Sequence, residues 1–277
     1  MPSKIIINGI VPSGPAISSV RILYFHNMTK FFVATIILIA AFGLRAQPPE
    51  TVHVPAGVFN RGSADGKPDE APVRAVEMSG FAMTRREVTE AEYGRCVDAG
   101  KCAPAHYDDG KCLIWAGSGF RRVTVPAHLR GGGLPVVCVT WQQARAYCAS
   151  VGMRLPTEAQ WEYAALGGAK SARYSWGSDA PGGRCAVGAL KPAGSFPPNG
   201  YGLHDMTGNA WEWTADFYAA DYYAGSDAAN PKGPDAGYYR VVRGGGWYSG
   251  PPELRVQNRH WFSANSAEVS VGFRCVK

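Results

Sequence analysis

The amino-acid sequence predicts a single α+β domain that is rich in turns and has little regular secondary structure. Its 277 residues include 34 glycines, 20 prolines and 8 tryptophans, a composition that favours turns and aromatic clusters over a helical bundle. Hydrophobic residues make up 46% and charged residues 18%, which is enough to build an ordinary globular core. We find no repeat, coiled coil or shift in composition after residue 47 that would mark a second domain.

The first 46 residues differ in composition from the rest of the chain. Met28 and Lys30 precede an apolar run of twelve residues, 31–42, and small residues such as Ala46 follow it. A basic start, a short apolar core and a small-residue exit predict a secretory signal, with translation starting at Met28. The alternative is an N-terminal anchor or a buried strand, but spanning a bilayer takes about 20 apolar residues. We therefore expect a leader over 1–46 and a periplasmic or secreted domain over 47–277, with no stable membrane span after signal removal.

The charge balance argues against nucleic acid as a partner. Four of the 28 basic side chains and none of the 22 acidic ones lie in residues 1–46, so residues 47–277 carry a net charge of +2. A nearly neutral domain without a basic stripe does not have the electrostatic footprint of a nucleic-acid-binding protein. All seven cysteines also follow residue 47, and export permits disulfides. Their odd number predicts at least one thiol without a partner in the same chain.

Three helix starts share the capping-box pattern, in which a threonine is followed three residues later by Glu or Gln. The two side chains then satisfy each other's free backbone N–H groups. The boxes begin at Thr89, Thr140 and Thr157. Glycines that follow each pattern predict helix ends near Ala99, Val151 and Gly167. Strand patterns cover 51–60, 73–83, 238–243 and 270–276, and the cysteine-bearing segment 101–134 is predicted to be a long surface loop.

Five separated motifs carry a resemblance to a known family. In chain order they are GMRLPTEAQWEYAALGG at 152–168, YSWG at 174–177, NGYGLHDMTGNAWEWTADFY at 199–218, RVVRGGGW at 240–247 and VGFRCV at 271–276. In this order they resemble the formylglycine-generating enzyme (sulfatase-modifying factor) family over roughly residues 52–276. The resemblance implies the compact, C-type-lectin-like fold of that family, which agrees with the turn-rich composition.

The resemblance also implies a structural calcium site in the third motif. Its ligands would be the side chains of Asp205 and Glu212 and the carbonyl oxygens of Gly208 and Ala210. Calcium binds hard oxygen donors of this kind, so the residue types are chemically suitable. The alternative is a capped loop that carries two surface acids. We expect calcium as the structural cofactor.

A disulfide between Cys148 and Cys275 is a further implication of the resemblance, because both stand at positions that are paired in secreted family members. The other cysteines are then expected to form two bridges and leave Cys185 as the odd thiol. The connectivity of the four remaining cysteines stays open: Cys96, Cys102, Cys112 and Cys138.

The sequence departs from the family at its copper site. Copper-dependent members bind the metal through two cysteines, placed two and seven residues after the tryptophan of an RGGSW motif. Here those positions are Ser249 and Leu254, and the serine of the motif is Gly246. Copper(I) prefers soft thiolate ligands, so no copper is expected. The histidines also lack the H-x-x-x-H-x-E spacing of the iron-dependent ergothioneine-pathway relatives.

The segment that follows RGGGW is where we expect the functional face. The candidate ligand-binding residues are Tyr248, Ser249, Arg255, Asn258, Arg259 and Trp261, and the candidate catalytic residues are His260 and Glu253. Aromatic rings and guanidinium groups together suit a polar or anionic ligand, such as a peptide or a glycan. The alternative is that the Arg and Trp side chains pack and brace loops.

These observations predict an exported binding or maturation module that does not oxidise cysteine with copper. The alternative is an oxidoreductase or other modifying enzyme that acts on a peptide or metabolite. It would be similar to the periplasmic siderophore-maturation members of the family, which also lack the cysteine pair. With both cysteines replaced, the sequence is compatible with a non-catalytic module and with an enzyme that uses other residues.

Overall fold

A computed structural model describes residues 49–277. The predicted leader, with its apolar run at 31–42 and its start at Met28, lies outside the described residues. Within the described part, no helix is long and apolar enough to cross a membrane. Two large clusters of buried hydrophobic residues form the core of this part of the chain.

Short strands and helices are joined by long irregular segments. The strands are β1 (Thr51–Val54), β2 (Gly57–Arg61), β3 (Arg74–Met78), β4 (Phe81–Thr84), β5 (Cys112–Trp115), β6 (Phe120–Val123), β7 (Trp211–Phe217), β8 (Tyr239–Arg243), β9 (His260–Ser263) and β10 (Val271–Gly272). The helices are α1 (Glu90–Asp98), α2 (Trp141–Ser150), α3 (Glu158–Leu166) and α4 (Tyr222–Gly225), with two 3-10 turns at Pro68–Glu70 and Ala127–Leu129. The predicted α+β class with little regular structure is confirmed.

All three predicted capping boxes are present. In each, the threonine hydroxyl accepts from the backbone N–H of the third helical residue, whose side chain accepts in return from the threonine N–H. The helices end within two residues of the predicted positions. Gly167 ends α3 in the left-handed conformation, with φ of 59°, which glycine adopts without steric cost. Local hydrogen bonding therefore sets the boundaries of these helices.

The predicted strand segments divide at turns. Pro55 separates β1 from β2, and Gly80 lies between β3 and β4, so that β1 pairs with β4 and β2 pairs with β3, both antiparallel. The prediction of a long surface loop over 101–134 is wrong in part, because β5 and β6 form an antiparallel hairpin within it. Its paired tip residues Trp115 and Phe120 contact each other edge to face.

The largest sheet has four strands in the order β10-β7-β8-β9. Strand β10 runs parallel to β7, and the other two pairs are antiparallel. Strands β7 and β9 were not predicted from the sequence. The segment WEWTADF of β7 does alternate apolar and polar residues, but its polar side chains are buried as well, and it lies inside the motif that was assigned to a calcium site. This sheet carries several of the residues described in the next section.

Three disulfides cross-link the described part of the chain, over separations of 6 to 127 residues. They join Cys96 to Cys102, Cys112 to Cys138, and Cys148 to Cys275. The last is the pair that the resemblance implied, and it connects α2 to the segment that follows β10. Of the seven cysteines, all of them within the described residues, Cys185 is unpaired and buried.

A buried cluster of charges fixes α3 against two strands. Glu158 on α3 forms ion pairs with Arg61 at 2.8 Å and with Arg243 at 2.7 Å, and Glu162 pairs with Arg243 at 2.6 Å. Burial by itself would raise the pKa of Glu158, but Arg259, Arg61 and Arg243 together hold it well below its usual value. The cluster therefore remains charged inside the fold, where the loss of one partner leaves an uncompensated charge.

Candidate functional site

A cavity of about 710 Å³ opens between β9, the hairpin β5–β6 and the segment 248–258. Its walls are mainly aromatic: Trp115, Phe120, Trp211, Tyr239, Tyr248, Trp261 and Phe262. Trp261 packs against Tyr239 with the ring planes tilted by 37° and the ring centroids 4.3 Å apart, and Phe120 packs edge to face on Phe262. Pockets that bind small molecules commonly combine apolar walls with a few polar groups.

Most of the residues predicted to form the functional face meet in this cavity. They are Tyr248, Ser249, Glu253, Asn258, His260 and Trp261. Strand β9 positions His260 and Trp261, whereas the other four lie in the irregular segment before it. The pairing of β9 with β8 brings this segment beside the aromatic wall.

The two predicted guanidinium ligands are placed elsewhere. Arg255 forms a bidentate ion pair with buried Glu70, at 2.7 and 2.6 Å, and lines a separate groove. Arg259 is 1% exposed and bonds to Glu158 at 2.7 and 3.1 Å. Their assignment to the ligand-binding face is therefore corrected: both brace the fold, as the alternative interpretation held, and no arginine among residues 49–277 lines the cavity.

His260 is held in an apolar environment. Its ring lies 5.3 Å from the ring of Trp211 and 4.9 Å from that of Phe262, measured between centroids. Burial, followed by the positive charge of Lys67, lowers the pKa of His260 to about 4, although Glu253 acts in the opposite direction. The imidazole is therefore neutral at physiological pH. A base with so low a pKa accepts protons weakly at pH 7.

Two polar groups in the cavity have different surroundings. The Tyr248 hydroxyl donates to Glu268 Oε1 at 2.6 Å, and burial and Glu268 together raise the pKa of this tyrosine. Asn258 is fully buried, and its Nδ2 donates to the Glu253 carbonyl oxygen at 3.1 Å. Its Oδ1 is buried without a hydrogen-bond partner among the described residues.

The two residues at the positions of the family's copper-binding cysteines lie in different environments. Ser249 lines the cavity, and its Oγ accepts from the Gly246 N–H at 3.0 Å. Leu254 is 1% exposed and packs in a small hydrophobic cluster with Tyr174 and Cys185. A Cβ on Gly246 would lie 2.9 Å from atoms of Trp211 and Ser270, so a serine there would require its neighbours to shift.

Several lining residues were not predicted from the sequence. Trp115 and Phe120 come from the hairpin in the predicted loop, Trp211 from β7 and Tyr239 from β8. The available signal was the apolar and aromatic content on both sides of the glycine-rich turn at 116–119. Trp115 and Phe120 remain 48% and 46% exposed, which is uncommon for side chains of this size unless they meet another molecule.

The two predicted calcium-binding carboxylates, Asp205 and Glu212, are engaged within the protein. Both carboxylate oxygens of Glu212 accept from Arg274 at 2.7 Å, and Trp161 Nε1 donates to one of them. Asp205 accepts from the Gly194 N–H at 2.5 Å, and Ala210 donates its own N–H to Glu87. Among residues 49–277, no three His, Cys, Asp or Glu side chains converge as metal ligands.

In this arrangement the donor set does not fit a calcium ion, because Arg274 would have to leave Glu212. The local charge is nevertheless unusual. Burial and the nearby acids Asp205 and Glu212 raise the pKa of Glu87, so this carboxylate holds its proton more tightly than usual. The calcium site is therefore implied by the resemblance alone, and the contacts among the described residues do not support it.

Comparisons with known proteins agree with the motifs. The family model of the sulfatase-modifying factor enzyme 1-like domain matches residues 40–277. Serine/threonine-protein kinase pkn1 of Chlamydia pneumoniae is 38% identical, over 82% of this chain and 38% of that protein. The chain thus spans about two fifths of the length of the first curated relatives that it matches.

Two further similarities cover nearly complete proteins. The formylglycine-generating enzyme of Streptomyces coelicolor is 35% identical, over 84% of this chain and 91% of that protein. The structure of PvdO from Pseudomonas aeruginosa superposes with a TM-score of 0.67 and 27% identity, over 82% of this chain and 94% of that one. The chain belongs to the sulfatase-modifying factor, or formylglycine-generating enzyme, family.

Proposed function

We propose that this protein is an exported ligand-binding or maturation module, which uses the aromatic cavity for recognition and does not oxidise cysteine with copper. One observation carries the proposal: the two positions that hold copper in the family are a serine and a leucine, and the leucine is packed in the core. A hydroxyl and an alkyl group do not replace soft thiolate ligands. The cavity beside these positions is lined by aromatic side chains.

Export is the second part of the proposal. Three disulfides within one domain are typical of proteins from oxidising compartments. N-terminal sequencing of the product from its native host tests this part. We expect a mature N-terminus after the apolar run 31–42, and an intact N-terminus upstream of that run would overturn export by signal cleavage.

The alternative of a modifying enzyme would use Glu253 and His260, which line the same cavity. The lowered pKa of His260 argues against it as a general base, because the neutral imidazole binds a proton weakly at pH 7. Binding without acid–base chemistry is therefore the better supported role.

Metal analysis and binding measurements on the purified mature protein test the proposal together. We expect less than stoichiometric copper, no oxidation of a cysteine peptide, and calorimetric binding of small ring compounds, which Trp261→Ala weakens. Tyr238→Ala is the matched control, because Tyr238 is an aromatic residue that is 92% exposed and does not line the cavity. One copper per chain with peptide oxidation would overturn the proposal, and so would the failure of every ring compound, neutral or charged, to bind.

A further inference from the structure

We propose that the β5–β6 hairpin docks this protein on an anionic lipid surface, with its aromatic tip in the headgroup region and two arginines on the lipid phosphates. This inference does not rest on the proposed function, because a peripheral membrane contact and a ligand-binding cavity can exist independently of each other. The geometry that supports it is an exposed aromatic pair at the end of a firmly held hairpin, with unpaired positive charge directly behind the pair.

The base of the hairpin is fixed to the rest of the fold. Cys112 in β5 is bonded to Cys138 by a disulfide. The backbone N–H of Leu113 donates to the Ala267 carbonyl oxygen at 2.8 Å, and the Leu113 carbonyl oxygen accepts from the Val269 N–H at 2.9 Å. These contacts hold the first half of β5, so the hairpin keeps its direction when its tip meets a surface.

The tip of the hairpin projects into solvent and carries no charge. Residues 115–120 read WAGSGF, and a Cβ built on Gly117 or Gly119 would meet nothing within 4 Å beyond its chain neighbours. The paired residues Trp115 and Phe120 are 48% and 46% exposed. Tryptophan is enriched at the interface between lipid and water, because one end of its ring system is apolar and the other donates a hydrogen bond. An uncharged tip with two exposed rings therefore suits the interfacial region of a bilayer.

Positive charge begins directly behind this tip. Arg121 and Arg122 are exposed and form no ion pair or side-chain hydrogen bond within residues 49–277. No acidic residue follows Asp109 in the chain before Glu158, which is buried among arginines. The cavity beside the hairpin is lined by one lysine and one glutamate, whose charges offset each other. The two arginines therefore leave the hairpin with a net positive charge, which anionic lipid attracts.

The arrangement of these charges favours a lipid surface over an acidic protein. Successive side chains of a strand point to opposite faces, so Arg121 and Arg122 flank the hairpin on both sides. A layer of lipid headgroups surrounds the hairpin and meets both charges, whereas a protein that docks on one face meets only one of them. Because a strand rises about 3.3 Å per residue, the arginines lie one or two steps behind the rings, and their long side chains reach phosphates at that level.

Other exposed aromatic side chains extend the same surface. Of the six most exposed aromatic side chains among residues 49–277, five line the cavity beside the hairpin: Trp115, Phe120, Tyr239, Tyr248 and Trp261. A contiguous exposed apolar patch marks a contact with another molecule or a membrane. The hairpin and the mouth of the cavity therefore form one aromatic surface, which offers the bilayer more area than the hairpin alone.

Vesicle flotation of the mature protein tests the inference. Vesicles of phosphatidylcholine alone are compared with vesicles of equal parts phosphatidylcholine and phosphatidylglycerol, at low ionic strength and in about 0.5 M NaCl. At low ionic strength we expect binding to the mixed vesicles and at least about tenfold weaker binding to phosphatidylcholine. High salt should release the protein, because it screens the charges. Failure to bind the mixed vesicles, or equal binding to both kinds, would overturn the inference and leave ligand binding in the cavity untouched.

Arg121→Gln/Arg122→Gln tests the role of the charges, with Arg145→Gln/Arg173→Gln as the matched control. Both variants remove two exposed arginines that have no ion pair in the described chain, so the two variants carry the same net charge. Two basic side chains at an anionic surface are together worth about thirtyfold in affinity. We expect that loss for the hairpin variant and less than about threefold for the control. Equal losses, or no loss in the hairpin variant, would overturn the assignment to the hairpin.

Tryptophan fluorescence reports the position of the tip separately. Brominated phosphatidylcholine in the mixed vesicles should quench the wild-type protein and quench Trp115→Phe less, because that variant keeps an aromatic ring but removes the tryptophan at the tip. Trp176→Phe is the matched control, since Trp176 stacks on Tyr174 and does not line the cavity. Equal quenching of wild type and Trp115→Phe would overturn contact of the tip with lipid. A dimer that forms without lipid and is lost in Trp115→Ala would assign the tip to a second copy of the chain and overturn the inference as well.

Discussion

The contribution of each of the three disulfides to the stability of the protein should increase with the length of the chain segment that the disulfide closes. The two cysteines of a disulfide are separated by 6 residues in Cys96–Cys102, by 26 in Cys112–Cys138 and by 127 in Cys148–Cys275. In the chain-entropy model the cost of closing a loop in the unfolded chain grows with the logarithm of its length. That model gives contributions of about 2.2, 3.5 and 4.9 kcal/mol at 25 °C. The longest loop alone then equals a large share of the stability of a typical domain, roughly 5–15 kcal/mol.

Alanine pairs in place of each cystine provide the perturbation. All six cysteines are at most 9% exposed, so each pair of substitutions removes a similar amount of buried side chain. The difference between variants therefore reports the loop, and the Cys96–Cys102 variant is the matched control for the Cys148–Cys275 variant. We expect these two to differ by about 2.7 kcal/mol in the free energy of unfolding.

Urea denaturation, followed by tryptophan fluorescence and extrapolated linearly to water, measures that difference. Equal losses in the three variants, or the greatest loss at Cys96–Cys102, would refute the reasoning from loop length. A variant with a changed urea slope would be compared by thermal unfolding instead, because its unfolded state has changed in compactness.

Three further predictions concern buried charge. Arg255→Ala should lower the free energy of unfolding by about 3–5 kcal/mol, because it leaves Glu70 buried without a counter-charge. The double variant Glu70→Gln/Arg255→Met should lose less stability than Arg255→Ala. Wild-type stability in Arg255→Ala would contradict the assigned ion pair. Burial, and then the charge of Glu158, raise the pKa of Asp216 to about 7. The folded protein therefore keeps a proton that the unfolded chain releases above about pH 4. The free energy of unfolding should consequently fall by up to about 4 kcal/mol between pH 4 and 7. Asp216→Asn should remove most of that fall in urea titrations at each pH, and an unchanged pH profile would show that Asp216 does not titrate in this range. Dialysis against EDTA should leave the melting temperature unchanged, because the Glu212 carboxylate is already paired with Arg274. If the protein holds calcium and its removal lowers the melting temperature, the ion pair between Arg274 and Glu212 is not maintained.

Local signals in the sequence were sufficient for the three longer helices and the family, but not for the four-residue helix α4. A capping box is complete within four residues, so Thr89, Thr140 and Thr157 start helices wherever those segments lie in the fold. The strands were harder to predict. Strand β7 does show the alternation of apolar and polar residues that indicates a strand, but the segment was assigned to the calcium motif, and its pairing partners lie elsewhere in the chain.

The candidate site could be predicted as a segment but not as a surface. Of the residues after RGGGW, Tyr248, Ser249, Asn258, His260 and Trp261 do face the cavity. The hairpin that carries Trp115 and Phe120 completes the wall from more than 100 residues earlier in the chain. No local pattern connects these two segments, because they meet only through long-range packing.

Residue identity at nearby positions was enough to identify the family, the helix starts and the loss of the copper thiolates. Which side chains remain available to a ligand depends instead on contacts between distant parts of the chain. Arg255 and Arg259 have the chemistry of anion binding, but Glu70 and Glu158, 185 and 101 residues earlier in the chain, already neutralise them. Asn258 is an ordinary amide in the sequence, and its unpaired oxygen exists only because the fold buries it. Burial and charge pairing depend on the whole fold, so they cannot be predicted from one segment of the chain.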